Sequence, residues 1–193
     1  MYVAIEGIDT AGKSTQIEAL KQHFTNAVIT KEPGATKIGS KIREIVLSGE
    51  IKSKKAEFLL FLADRAEHIQ EVVKPNLGKI IISDRSVISG IAYALVQGAI
   101  TKDELVSLNR FATDDILPEK VFLLNLSEDE LKFRLSQKEL DGIELRGVEY
   151  LLEIQKNIKT AVKMLDLELV EIDAKNSIEN ITKELIKHIK AEK

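Results

Sequence analysis

Cysteine and tryptophan are missing from the 193 residues. Without cysteine there is no disulfide and no thiolate metal site, which suits a reducing compartment. Proline occurs three times and glycine ten, and no proline-, glycine- or serine-rich linker or internal repeat divides the chain, so one domain over 1–193 is expected. Long apolar runs are lacking too. Stretches such as Ile80-Ile81-Ile82 and Val121-Phe122-Leu123-Leu124 fall far short of the ~20 residues that span a bilayer. An excess of one charge is also absent: 28 Lys and Arg against 31 Asp and Glu leave a net −3, no footing for general nucleic-acid or acidic-membrane binding. The first residues read as a strand rather than a signal peptide, and a cytoplasmic protein is the expectation. The three histidines, His23, His68 and His188, lie scattered on predicted helices. They read as surface residues, with no triad or metal cluster.

What is present is an alternation. Five short apolar segments, Tyr2–Ile5, Ala27–Thr30, Lys79–Ser83, Val121–Leu126 and Leu169–Ile172, are separated by longer periodic stretches. Several are apolar on consecutive positions, as expected of parallel strands covered on both faces. Helical stripes run through Ile17, Leu20 and Phe24, and through Phe58, Phe61, Leu62, Ala66, Ile69 and Val73, the latter helix ending before Pro75. Two more carry Leu151, Ile154, Ile158, Val162 and Leu165, and Ile178, Ile181, Leu185 and Ile189. This pattern predicts an α/β fold with a parallel sheet, whose ligands lie at the carboxyl ends of the strands.

The loop after the first strand is Gly7-Ile8-Asp9-Thr10-Ala11-Gly12-Lys13-Ser14, followed by Thr15. It satisfies G-x-x-x-x-G-K-[ST], a phosphate-binding loop whose glycines let backbone N–H groups turn inward. A chance match arises in on the order of one chain in a hundred, and here the motif also sits between a predicted strand and a predicted helix. The helix N-terminus adds a positive dipole end. Lys13 is expected on the β- and γ-phosphates of ATP and Ser14 on Mg²⁺.

The other strand ends add candidates. The third predicted strand runs into Asp84-Arg85-Ser86. Asp84 reads as a helix N-cap, as a Mg²⁺ carboxylate, or as both, and Arg85 as a bidentate phosphate ligand. The second ends in Glu32-Pro33-Gly34, a turn, with Arg43 beyond it, equally a solvated helix residue or a phosphate ligand. Phe61 and Arg65 share a helix face. They read as a core ring beside a surface arginine, or as a stacking and hydrogen-bonding pair for a base.

Taken together, IEGIDTAGKST, KEPGAT, LLFLADRAEH, DRSVISGIAY and LPEKVFLLNLS resemble the thymidylate kinase family, in family order over nearly the whole chain. The resemblance implies the nucleoside monophosphate kinase fold: a five-stranded parallel sheet flanked by helices, with a mobile lid over about 134–147. It implies transfer of the γ-phosphate of Mg-ATP to dTMP, in dTTP biosynthesis, by a homodimer. Phe61 matches the residue stacked on thymine, Arg65 the base's hydrogen-bond donor, and Tyr93 the ring against the deoxyribose. Asp9 matches an acid near the sugar 3′-hydroxyl and Arg85 the arginine on the dTMP phosphate. Arg43, Ser89, Glu32 and Pro33 fall in acceptor-side segments, and Asp173-Ala174-Lys175 resembles a loop near adenine.

Two departures stand out. Some relatives carry a basic residue at the position of Thr10, and others an arginine at the position of Gly142. Arg134 and Lys138, then Arg146, are the candidate lid cations here, against a reading of all three as a charged, solvated surface. Gly90 stands where relatives often carry a polar residue facing thymine. Two rival functions are a related nucleoside monophosphate kinase of other base specificity and a P-loop regulator that transfers nothing to a metabolite.

Overall fold

A computed structural model describes residues 1–139 and 144–190. Five strands, β1 (Tyr2–Glu6), β2 (Val28–Lys31), β3 (Ile81–Asp84), β4 (Lys120–Asn125) and β5 (Glu168–Asp173), form one parallel sheet in the order β2-β3-β1-β4-β5. Strand β1 is buried at all five positions because it lies at the centre, with Tyr2 aligned to Ile81 on one side and Val3 to Lys120 on the other. The consecutive apolar runs of the sequence are thereby explained: both faces of the central strands are dry.

Among the described residues eight α-helices cover the sheet: α1 (Lys13–His23), α2 (Lys37–Leu47), α3 (Lys54–His68), α4 (Val87–Gln97), α5 (Lys102–Thr113), α6 (Glu128–Leu135), α7 (Val148–Met164) and α8 (Ile178–Lys190). Their starts carry the expected signals. Thr36, Ser53 and Ser127 accept backbone N–H groups at the N-termini of α2, α3 and α6, and Thr101 with Glu104 makes a reciprocal capping box on α5, each satisfying donors no helix can pair itself. The stripe of α7 is buried from Leu151 to Leu165, and Ile181, Leu185 and Ile189 anchor α8, whereas Ile178 is exposed.

Helix α3 departs from the expected stripe. Its buried residues are Phe58, Leu62, Asp64, Arg65 and His68, with Ala66 on the surface. The α-helix does end before Pro75, at His68, and a π-helical turn, Ile69–Val73, then leads into a 3₁₀ turn, Lys74–Asn76, that includes the proline. Proline is tolerated there because the first turn needs no N–H from it. Ile69 and Val73 pack with Tyr2 and Ile81 in a satellite core.

Candidate functional site

All five strands run the same way, so the loops after β1, β2, β3 and β5 meet at one end of the sheet. The loop after β1 wraps into α1 through Gly12, the N-cap, whose φ of 93° is a left-handed conformation that glycine adopts without strain. Gly7 is required by close approach: a Cβ there would lie 3.0 Å from Ala11 Cβ and 3.1 Å from the Leu124 carbonyl. The Lys13 ammonium donates to the carbonyls of Gly7 and Ile8 at 3.0 and 3.1 Å. Burial, followed by the nearby Arg85 cation, lowers its pKa from 10.5 to about 8. A cavity lined by Asp9, Thr10, Gly12, Lys13, Ser14, Thr15, Lys138 and Glu144 opens over this loop.

Arg85 joins this loop to the next. It has a left-handed φ of 67°, rare for a side chain with a Cβ. Its Nη2 donates to Asp9 at 2.7 Å, and its Nη1 to the Gly7 carbonyl and to Ser89 Oγ at 3.2 and 3.1 Å. The guanidinium carbon lies 6.0 Å from the Tyr93 ring centroid. Ser89 in turn donates to Glu6 at 2.5 Å, and Glu6 also accepts from Ser86. Burial pushes the Glu6 carboxyl upward, against the pull of those serines and of Arg85. The Tyr93 hydroxyl is buried without a partner among the described residues, and burial raises its pKa to about 12.

Asp84 ends β3. The N-cap of α4 is Ser86, not Asp84. Asp84 Oδ1 is instead buried with no hydrogen-bond partner among the described residues, and Asp84 is close enough to Lys13 to pull the Lys13 pKa upward against burial. A buried carboxylate oxygen without a donor, near Lys13 of the P-loop, fits a hard divalent cation, and the exposed Ser14 is the next residue after Lys13.

The turn after β2 is tied down from two helices. Gly34 N–H donates to Asp64 at 2.9 Å, and Arg43 Nη1 to the Pro33 carbonyl at 3.0 Å. Glu32 is turned inward: it accepts from Arg65 Nε at 2.8 Å and meets His68 Nδ1 at 2.8 Å, so its route to a ligand runs through Arg65. Burial alone would raise the Glu32 carboxyl, but Arg65 and His68 hold it below its usual value. Two sequence expectations are corrected here. Arg65 is 2% exposed and His68 fully buried; neither is a surface residue, because Glu32 supplies the partner that makes burial tolerable. Phe61, one turn earlier, is half-buried.

The lid cations separate. Arg134 Nε pairs with Glu130, while Nη1 and Nη2 donate to the carbonyls of Thr10 and Ala174 at 2.9 and 2.6 Å. Lys138 pairs with Glu144 at 2.8 Å, and Arg146 lies over the Tyr150 ring at 5.1 Å. Gly142 lies outside the described residues. Sequence reasoning passed over Glu6, Asp64, Asn109 and Glu144, although a polar Asn109 one turn past Leu105, on the stripe that continues to Ala112, was a visible signal.

Comparison with known proteins agrees with this geometry. A family model described as thymidylate kinase matches residues 5–185. The thymidylate kinase of Sulfurimonas denitrificans is 66% identical over 189 residues, covering 98% of this chain and 99% of that protein. That of Aliarcobacter butzleri is 56% identical over 183 residues, 95% of each. Among solved structures, thymidylate kinase from Ehrlichia chaffeensis superposes with a TM-score of 0.77 at 26% identity, covering 98% of both chains.

Proposed function

The chain belongs to the thymidylate kinase family, and on that premise we propose that it transfers the γ-phosphate of ATP to dTMP, giving dTDP and ADP, through the residues gathered at the carboxyl ends of β1, β2 and β3. The observation that carries the assignment of roles is the linkage of Arg85 to both sides: it is hydrogen-bonded to the P-loop at Gly7 and Asp9, and to Ser89 beside Tyr93.

Donor and acceptor phosphates are both anionic, so the barrier is lowered chiefly by cations that hold them in line. Residues 7–15 wrap the ATP phosphates with backbone N–H groups. Lys13 leaves its carbonyl partners for the β- and γ-phosphates, whose charge favours its protonated form. Arg85 takes the acceptor phosphate, steadied by Asp9 and Ser89. Ser14 and Asp84 are the residues that would hold Mg²⁺, which when bound neutralises phosphate charge. Lys138, which lines the cavity over the P-loop, supports a reading as the lid cation, whereas Arg134 donates to the carbonyls of Thr10 and Ala174 and braces the donor side. Phe61 stacks on the base, Arg65 meets its edge, Tyr93 packs against the sugar, and Arg43 reinforces the Glu32-Pro33-Gly34 turn. The acceptor phosphate is already ionised, so no general base is needed. Closure of a lid over about 134–147 excludes water, the competing acceptor.

We read residues 1–193 as one kinase domain acting as a cytoplasmic homodimer. The packed helices α2, α3 and α5 expose Ile38 and Ile45, Leu59, and Phe111, a set of apolar side chains that favours burial against a second copy.

The test is a coupled ADP-release assay with Mg-ATP and dTMP, dUMP, dGMP, dCMP or no acceptor. Turnover that depends on dTMP is expected. Equal slow release with every acceptor would mean hydrolysis without transfer and would overturn the assignment.

A further inference from the structure

Behind the acceptor side, five polar side chains at least nine-tenths buried, Thr30, His68, Glu32, Arg65 and Asn109, form a single hydrogen-bonded chain. Thr30 Oγ1 lies 2.7 Å from His68 Nε2, and His68 Nδ1 lies 2.8 Å from Glu32 Oε1. Glu32 Oε2 accepts from Arg65 Nε at 2.8 Å, and Asn109 Oδ1 accepts from Arg65 Nη1 at 2.6 Å. The Asn109 amide is itself fixed by donating to the Leu105 carbonyl at 2.7 Å. The two ring nitrogens of His68 thus join the Thr30 hydroxyl to the Glu32 carboxylate, which accepts from Nδ1–H.

Replacing a buried ionic chain of this kind as a whole by apolar groups of the same shape is often neutral for stability. Its effect is geometric. Arg65 has a long stem with many rotamers, yet Nε is held from the turn after β2 and Nη1 from α5. Nη2 makes no hydrogen bond to a described residue and lies against Gly90, where a Cβ would come within 2.7 Å of it.

We propose that His68 and Asn109 are positioning residues for the acceptor base: His68 through Glu32, and Asn109 directly, fix the Arg65 guanidinium so that its Nη2 edge beside Gly90 is the one presented to the ligand. The inference rests on the reading of Arg65 as the residue that meets the base. A held N–H edge donates to a ring carbonyl oxygen and opposes an amino group at the same place, donor against donor. The clamp therefore sets discrimination between oxo- and amino-pyrimidine nucleotides as well as affinity.

Steady-state kinetics with Mg-ATP, using dTMP and dCMP as acceptors, test this on the full chain, with melting temperatures recorded for each variant. His68→Leu and Asn109→Leu are expected to raise KM for dTMP about tenfold, to leave kcat and KM for ATP within about twofold, and to narrow the dTMP-to-dCMP ratio. His68→Asn and Asn109→Asp, which restore a donor to Glu32 and an acceptor for Nη1, are expected to recover most of the loss. Folded leucine variants with unchanged KM and ratio, while Arg65→Gln raises KM, would overturn the clamp. An unchanged KM in Arg65→Gln would instead overturn the reading of Arg65 itself. If the leucine variants fail to fold, ¹⁵N-resolved spectra of the unaltered protein decide: separate Arg65 Nη1 and Nη2 resonances are expected from hindered rotation about Nε–Cζ, and one averaged resonance overturns the proposal.

Discussion

Arg85 is held in a left-handed backbone conformation with Asp9, Gly7 and Ser89 around its guanidinium, so its cost in strain is offset by a set of contacts no other residue there could make. Arg85→Ala is expected to lower kcat by about 10²–10³-fold with a far smaller change in melting temperature, read from single-turnover transfer. Lys13 gives a pH prediction. Its pKa in the free protein is about 8 against an ordinary 10.5, so kcat/KM for ATP is expected to fall as pH rises through about 8. In the occupied site the phosphates favour the protonated ammonium, and kcat is expected to hold to higher pH. The sign for folding is opposite. Between about 8 and 10.5 the unfolded chain binds the extra proton, so this residue's contribution to stability rises with pH. Parallel pH profiles of kcat and kcat/KM check the first claim, and a profile of urea midpoints the second.

At the scale of elements, the stripes of α7 and most of α8 were legible because their causes are local, whereas the one cap read from the sequence, Asp84, gave way to Ser86. The capping box Thr101-Lys102-Asp103-Glu104 lies at the start of α5, and Thr101→Ala is expected to cost ~1 kcal/mol, measured by urea denaturation. The strands were legible to within one or two residues, since consecutive apolar side chains have few uses outside a covered sheet. The P-loop was legible from spacing alone. What stayed hidden was pairing at a distance. Four-residue spacing put Phe61 and Arg65 on one face, but which of them turned inward depended on Glu32, 33 residues away from Arg65. His68 read as a surface residue for the same reason: Thr30 and Glu32 come from β2 and the turn after it. Glu6 was quoted within the P-loop motif without a role, because Ser86 and Ser89 reach it only once β1 and β3 lie side by side. The turn past His68 fell to geometry that no residue preference marks, a π-helical stretch leading into a proline.

For the whole molecule, Leu59, 57% accessible, is exposed on α3, the helix that packs with both α2, which exposes Ile45, and α5, which exposes Phe111. Leu59→Asp is expected to convert a dimer into monomers at micromolar concentration, measured by sedimentation velocity, with the transfer chemistry retained in the monomer if each site is complete within one chain. A sedimentation coefficient unchanged from that of the parent would place the interface elsewhere. The strand order carries a further consequence for synthesis on the ribosome. β2, β3 and β1 are adjacent in the sheet and all are made by residue 84, whereas β4, the other neighbour of β1, begins only at Lys120. For those intervening residues β1, a strand buried at all five positions in the folded protein, has one edge with nothing to pair with, an exposed template for neighbouring nascent chains. A chain arrested before β4 should therefore aggregate where one arrested after it stays dispersed, which places the hazard of making this protein within a window of about three dozen codons.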